Sequence, residues 1–87
     1  MKQEAKILKA LANERRLRIL GLLAKTKELS VGDIAEGINL SFRSTSRHLK
    51  VLEGTGFLDK NQVGLNVFYR LNPEHKFLKS ALNKIIF

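Results

Sequence analysis

The chain contains no cysteine. That excludes disulfides and thiolate metal sites, and it fits a reducing compartment. No apolar run approaches the ~20 residues of a transmembrane span. The N-terminal stretch does not read as a signal peptide, because Lys6, Lys9, Glu14, Arg15, Arg16 and Arg18 interrupt each apolar stretch. A cytoplasmic protein with no membrane partner is expected. Internal repeats, low-complexity tracts and linkers long enough to separate domains are also missing. The 87 residues are therefore expected to form one domain, residues 1–87. A chain this short buries roughly 60–65 % of its unfolded surface, so partner subunits often supply the rest of its stability. Acidic residues are scarce too, with eight against sixteen basic ones for a net charge of +8. Such an excess favours polyanions, nucleic acid above an anionic membrane, although a generic basic surface would look the same. The apolar fraction of 44 % is too high for a disordered chain.

What is present is mostly helical periodicity. Residues 2–11 place Ala5, Leu8 and Ala12 on one line with Ile7 and Leu11 beside it. Asn13 suits an N-cap and Glu14 a first turn, which predicts a second helix from Glu14 to Ala24. Leu17, Ile19, Leu20, Leu22, Leu23 and Ala24 give that helix more than one apolar face, so it should be central. Residues 26–29 read as a polar connection. From Phe57 the period changes to that of strands: 57–62 and 67–71, with Gly64 as the turn residue, form a hairpin. Asn72-Pro73-Glu74 then restarts a helix carrying Phe77, Leu78, Ala81, Leu82, Ile85 and Ile86.

Residues 30–57, SVGDIAEGINLSFRSTSRHLKVLEGTGF, are the most informative segment. Ser30 can cap a short helix with Val31, Ile34, Ala35 and Ile38 inward, and Gly37 lies near its end. Ser41 can cap the next, which should finish near Gly54 and Gly56. At 100° per residue Phe42, Thr45, Leu49 and Leu52 share one side, Arg43, Arg47 and Lys50 fall opposite, and Ser44 and Ser46 flank them. Two short helices joined by a tight turn, the second apolar inside and cationic outside, form the pattern of a DNA-reading helix-turn-helix. The expected fold is mostly α with a small β-hairpin, in the order α-α-α-α-β-β-α: a winged helix-turn-helix.

Four segments carry a resemblance. LKALANERRLRILGLL (8–23), ELSVGDIAEGINLS (28–41), SRHLKVLEGTGFL (46–58) and VFYRLNP (67–73) look, in order and spacing, like those of the ArsR-type (arsenic-repressor-like) winged-helix regulators. The resemblance covers almost the whole chain. It implies a homodimer that binds an operator and represses transcription. Many such relatives release DNA on binding metal, but the thiolate-bearing members have Cys-x-Cys-Asp where this chain has Ser30-Val31-Gly32-Asp33. The other common site pairs Asp and His ligands on the last helix, where this chain offers only His75 beside Glu74. A member with no metal and no cofactor is expected.

On the second helix of the motif, Arg43 and Arg47 can each fork onto the O6 and N7 acceptors of guanine or grip a phosphate. Phe42 is either a core wedge or an apolar partner for a thymine methyl. Ser44 and Ser46 are small enough for close approach to bases or phosphate, while Thr45 is assigned to the core. The resemblance puts His48 close to DNA, against the plain reading of a packed ring bonded to nearby backbone. Ser30, Ser41 and Lys50 complete the candidate contacts there. On the wing they are Lys60, Asn61, Gln62, Asn66 and Arg70, set against the ordinary reading of a solvated hairpin tip. Ile7, Leu8 and Leu11 with Phe77, Leu78, Ala81, Leu82, Ile85 and Ile86 make an apolar surface suited to a two-fold interface. The two recognition helices would then stand about 34 Å apart on a pseudo-palindromic duplex. A protein-interaction module docking an acidic partner is the alternative, and a sensor with nitrogen and oxygen ligands around Glu74 and His75 a third reading. Ser44, Ser46, His48 and Asp33 do not make an enzyme, since nothing signals an oxyanion hole or a nucleophile elbow.

Overall fold

The structure, a computed structural model, describes residues 2–73 and 75. In chain order they form α1 (Lys2–Leu11), α2 (Glu14–Lys25), β1 (Leu29–Ser30), α3 (Val31–Ile38), α4 (Phe42–Glu53), β2 (Leu58–Val63) and β3 (Asn66–Leu71). The expected last helix lies outside the described residues, and with it Phe77, Leu78, Ala81, Leu82, Ile85 and Ile86.

Three helices start on the expected caps. Asn13 Oδ1 accepts from the Arg16 amide, Ser30 Oγ from Asp33 and Ser41 Oγ from Ser44, each at 3.1 Å. Each such cap contributes about 1 kcal/mol by satisfying an amide that has no partner within its helix. α3 ends one residue after Gly37. Asn39 takes the left-handed conformation (φ 56°), its amide donates to Glu36 O, and the Leu40 amide donates to Ala35 O. This is a Schellman closure, made by asparagine instead of glycine. Gly37 matters for packing instead. A Cβ there would lie 2.7 Å from Leu22 Cδ2, so its bareness lets α2 and α3 approach closely.

Leu29 and Ser30, expected as the end of a polar connection and a cap, form a strand that pairs antiparallel with Tyr69 and Phe68. The sheet therefore has three strands in the order β1-β3-β2. Two residues are too few for a periodic signal, and the pairing is dictated from about forty positions away. β2 begins one residue later than expected, at Leu58, although the Phe57 carbonyl still accepts from the Asn72 amide at 2.8 Å beyond its end, and the Phe57 ring is fully buried.

The core joins Ile19, Leu20 and Leu23 of α2 to Ile34, Leu49, Leu52 and Phe57, confirming α2 as the central helix. Thr45 is buried with them as expected. Phe42 is not, and remains 62 % exposed. Helical Cβ vectors lean toward the N-terminus, so a side chain in the first position of α4 projects beyond the layer that covers Leu49 and Leu52. No described helix is long and apolar enough to cross a membrane.

Gly56 follows α4 at φ +81°, a conformation that L side chains rarely adopt, whereas Gly32 sits in α3 where an added Cβ would meet only Ser30 Oγ, at an ordinary contact distance of 3.9 Å. Gly56→Ala should cost about 1–2 kcal/mol of stability. Gly32→Ala should instead gain about 0.5 kcal/mol, through helix propensity. Urea unfolding of the two variants checks the opposite signs.

Candidate nucleic-acid interface

The turn closed by Asn39 and Leu40 delivers α4 to the surface, with Leu49 and Leu52 anchoring its inner side. Arg43, Arg47 and Lys50 are exposed on the opposite side, and no carboxylate pairs with them among the described residues. Ser44 and Ser46 are half-buried between the two sides, and Ser41 and Phe42 stand exposed at the entrance. Ser30 and Ser41 each use their oxygen as a cap acceptor. Each hydroxyl proton remains able to donate to an incoming phosphate. The Ser30 side chain thus serves its own helix.

Two polar clusters hold α4. At its C-terminal end, Glu53 Oε1 accepts from the Tyr69 hydroxyl at 2.8 Å and pairs with Lys60 Nζ at 3.1 Å. Tyr69 is 5 % exposed, and burial together with the Glu53 carboxylate pushes its ionisation well above the ordinary phenol range. One carboxylate thus joins the helix to both strands of the hairpin. At mid-helix, the Arg16 guanidinium donates to Ala10 O at 2.6 Å, to Lys9 O at 3.3 Å and to His48 Nδ1 at 3.3 Å. It caps the end of α1 and braces α4 together. Because arginine can only donate, His48 Nδ1 is the acceptor and its proton lies on Nε2. The histidine is half-buried and bonded to a side chain, where its plain reading has a backbone partner.

The wing differs from expectation in charge. Lys60 is engaged by Glu53, and Arg70 pairs with Asp59 at 3.5 Å. Asn61, Gln62 and Asn66 are exposed. The Gln62 amide nitrogen donates to Gly64 O at 3.3 Å and steadies a two-residue turn, Gly64-Leu65. Leu65 is not among the expected contacts, yet it is 100 % exposed at the tip. A signal for it exists, since an apolar residue beside a turn glycine sits where hairpin tips are ordinarily polar. Arg16 gives no such signal, its partner being 32 positions away.

Ile7 packs into the core of its own domain and Leu11 against it, while Leu8 is 60 % exposed. Ile7 and Leu8 line an open apolar hollow of about 400 Å³ with Gln3 and Glu4. His75 meets the Phe57 ring edge-on at 4.6 Å. Among the described residues no three His, Cys, Asp or Glu side chains converge on a metal position, and Glu74 lies outside them.

Burial, Arg16 and Arg15 all lower the pKa of His48 from its ordinary 6.5. The unfolded chain consequently takes up the proton first, so this contribution is complete above about pH 6.5 and fades as pH falls below it. Thermal melts should show a lower midpoint at about pH 5.5 than at about pH 7.5, and His48→Gln should shrink that difference.

The bacterial regulatory protein family arsR matches residues 13–60. The transcriptional activator HlyU of Vibrio cholerae is 42 % identical over 80 residues, covering 91 % of this chain and 73 % of its own. The transcriptional repressor PagR of Bacillus anthracis is 33 % identical over 86 residues, covering 98 % and 86 %. Several other curated relatives are longer, the chain spanning as little as 37 % of one of them. Among solved structures, the homodimeric winged helix-turn-helix DNA-binding domain from Mycobacterium bovis superposes with a TM-score of 0.84 at 34 % identity, covering 98 % of this chain and 78 % of that one. With its helix-turn-helix, wing and central α2 in these positions, the chain belongs to the ArsR family of bacterial regulatory proteins.

Proposed function

We propose that the chain is a homodimeric, sequence-specific DNA-binding repressor that works without a bound metal. The observation that carries this reading is the solvent side of α4, where Arg43, Arg47 and Lys50 stand together, without acidic partners among the described residues, on a helix held at its middle and at its C-terminal end. Such a surface fits the major groove and its phosphate walls. Arg43, nearest the start of the helix, is assigned to a guanine edge. Arg47 can read a base or hold a phosphate, and Lys50 is a phosphate contact. The homodimeric neighbour from Mycobacterium bovis supports a two-fold assembly. The exposed Leu8 and the apolar hollow beside Ile7 are consistent with α1 taking part in it. Repression needs only occupancy: two reading heads about 34 Å apart cover a full turn of promoter. PagR is named a repressor and HlyU an activator, so the sign of regulation is tested separately from DNA binding.

Selection from a random duplex pool at two salt concentrations tests the reading. An inverted repeat with half-site centres about ten base pairs apart is expected. On that duplex Arg43→Ala should cost about 1–3 kcal/mol and relax preference at one position. Lys50→Ala should weaken all sequences alike and lower the salt slope by about 1. In vitro transcription from a promoter carrying the repeat should fall on adding protein. Binding that vanishes with salt and enriches nothing would overturn the proposal in favour of a module docking an acidic protein.

A further inference from the structure

We propose that the tip of the wing is a neutral apolar wedge, with Leu65 entering the minor groove at a deformable base step beside each half-site. The inference rests on the reading of α4 as the major-groove element and concerns what the wing adds to it. Residues 61–67 contain no charged side chain. The only cations of β2 and β3, Lys60 and Arg70, are paired with Glu53 and Asp59. A wing so arranged gains little from phosphate attraction, yet it holds up a fully exposed leucine.

The presentation is built. Val63 pairs with Asn66 across a two-residue turn, Gly64 takes φ +64°, and Leu65 does not share the positive φ. This is the sign pattern of a II′ hairpin turn, whose twist matches the strands it joins. The Gln62 side chain closes on Gly64 O and stiffens the loop from inside. Lower down, Glu53 fixes the hairpin to the end of α4. Leu65 and the exposed Phe42 also line one small cleft, so the apolar tip is continuous with the entrance of the reading helix. With α4 in the major groove, the tip meets the duplex at the neighbouring minor groove. A leucine there gains by leaving water and by parting a base step, and pyrimidine–purine steps such as TA open most readily. The wing would thus read deformability, where α4 reads base edges.

The test uses the duplex recovered by the selection, in two forms, with a TA step or an AA step beneath the wing. Leu65→Ala, Leu65→Met and the unaltered protein are compared for affinity, salt slope and bend, the last by energy transfer between the duplex ends. Thermal melts confirm that the variants stay folded, as expected for an exposed tip. Leu65→Ala should weaken binding to the TA duplex roughly tenfold, with a smaller loss on the AA duplex. It should also reduce the bend and leave the salt slope unchanged. Leu65→Met should retain most of the affinity and the bend. No loss in Leu65→Ala, or an equal loss on both duplexes with the bend intact, would overturn the wedge while leaving the DNA-binding reading in place. Failure of the unaltered protein to bind any duplex would overturn both.

Discussion

The exposed side of α4 depends on that helix being held in place, and the carboxylate of Glu53 is the polar restraint that ties it to the wing. A helix of twelve residues is marginal alone, and its inner side is secured chiefly by Leu49 and Leu52. Glu53 adds direction, because its oxygen accepts the buried Tyr69 hydroxyl from β3 and the Lys60 ammonium from β2. A hydrogen bond to a charged acceptor contributes about 1.5–3 kcal/mol, more than an exposed ion pair supplies. The hydroxyl therefore provides most of the hold, and Lys60 balances the charge. That link adds to the pairing of β1 with β3 and to the burial of Leu58 and Tyr69, which together keep the base of the wing fixed against the helices.

In a chain with net charge +8, the cations of the wing and of α4 are treated differently. The wing's two are committed to carboxylates of α4 and β2, and Arg16 is committed to carbonyl oxygens and a histidine. The exposed side of α4 keeps Arg43, Arg47 and Lys50 without acidic neighbours. On the proposed reading, α4 thus keeps charge where orientation is set, and the wing tip is left neutral where shape matters. Phosphate attraction acts over a Debye length and tolerates misplacement, whereas an apolar tip acts only in contact.

Much of this is legible in the sequence. Asn13, Ser30 and Ser41 announce three helices through side chains that act within three residues, and Gly64 announces the hairpin turn in the same local way. The spacing of Phe42, Thr45, Leu49 and Leu52 identifies the inner side of α4. It misplaces Phe42 because helical periodicity records angle around the axis and not where the covering layer ends. β1 escapes a sequence reading because a two-residue strand exists only by virtue of β3. Gly37 is legible as lying near the end of α3, but not its packing role, because Leu22, beneath which it must stay bare, belongs to another helix. Lys60 and Arg70 are legible as wing cations, but their pairing is not. That depends on hairpin register, in which Asp59 lies opposite Arg70, and on the approach of Glu53.

The Arg16 cluster shows why such long-range polar contacts matter to a small regulator. The carbonyls of Lys9 and Ala10 lie in the last turn of α1, where helical acceptors lack partners. A guanidinium satisfies both and still has a donor for His48 Nδ1. Removing the arginine would leave acceptors unsatisfied on α1 and release α4 from α1 in the same step. Packing alone could hold the two helices together, but apolar contacts tolerate small slides. A planar donor with three fixed acceptors does not. The position of α1 is thereby transmitted to the middle of α4, so an assembly that used α1 at its two-fold axis would fix the spacing of its reading heads through this guanidinium.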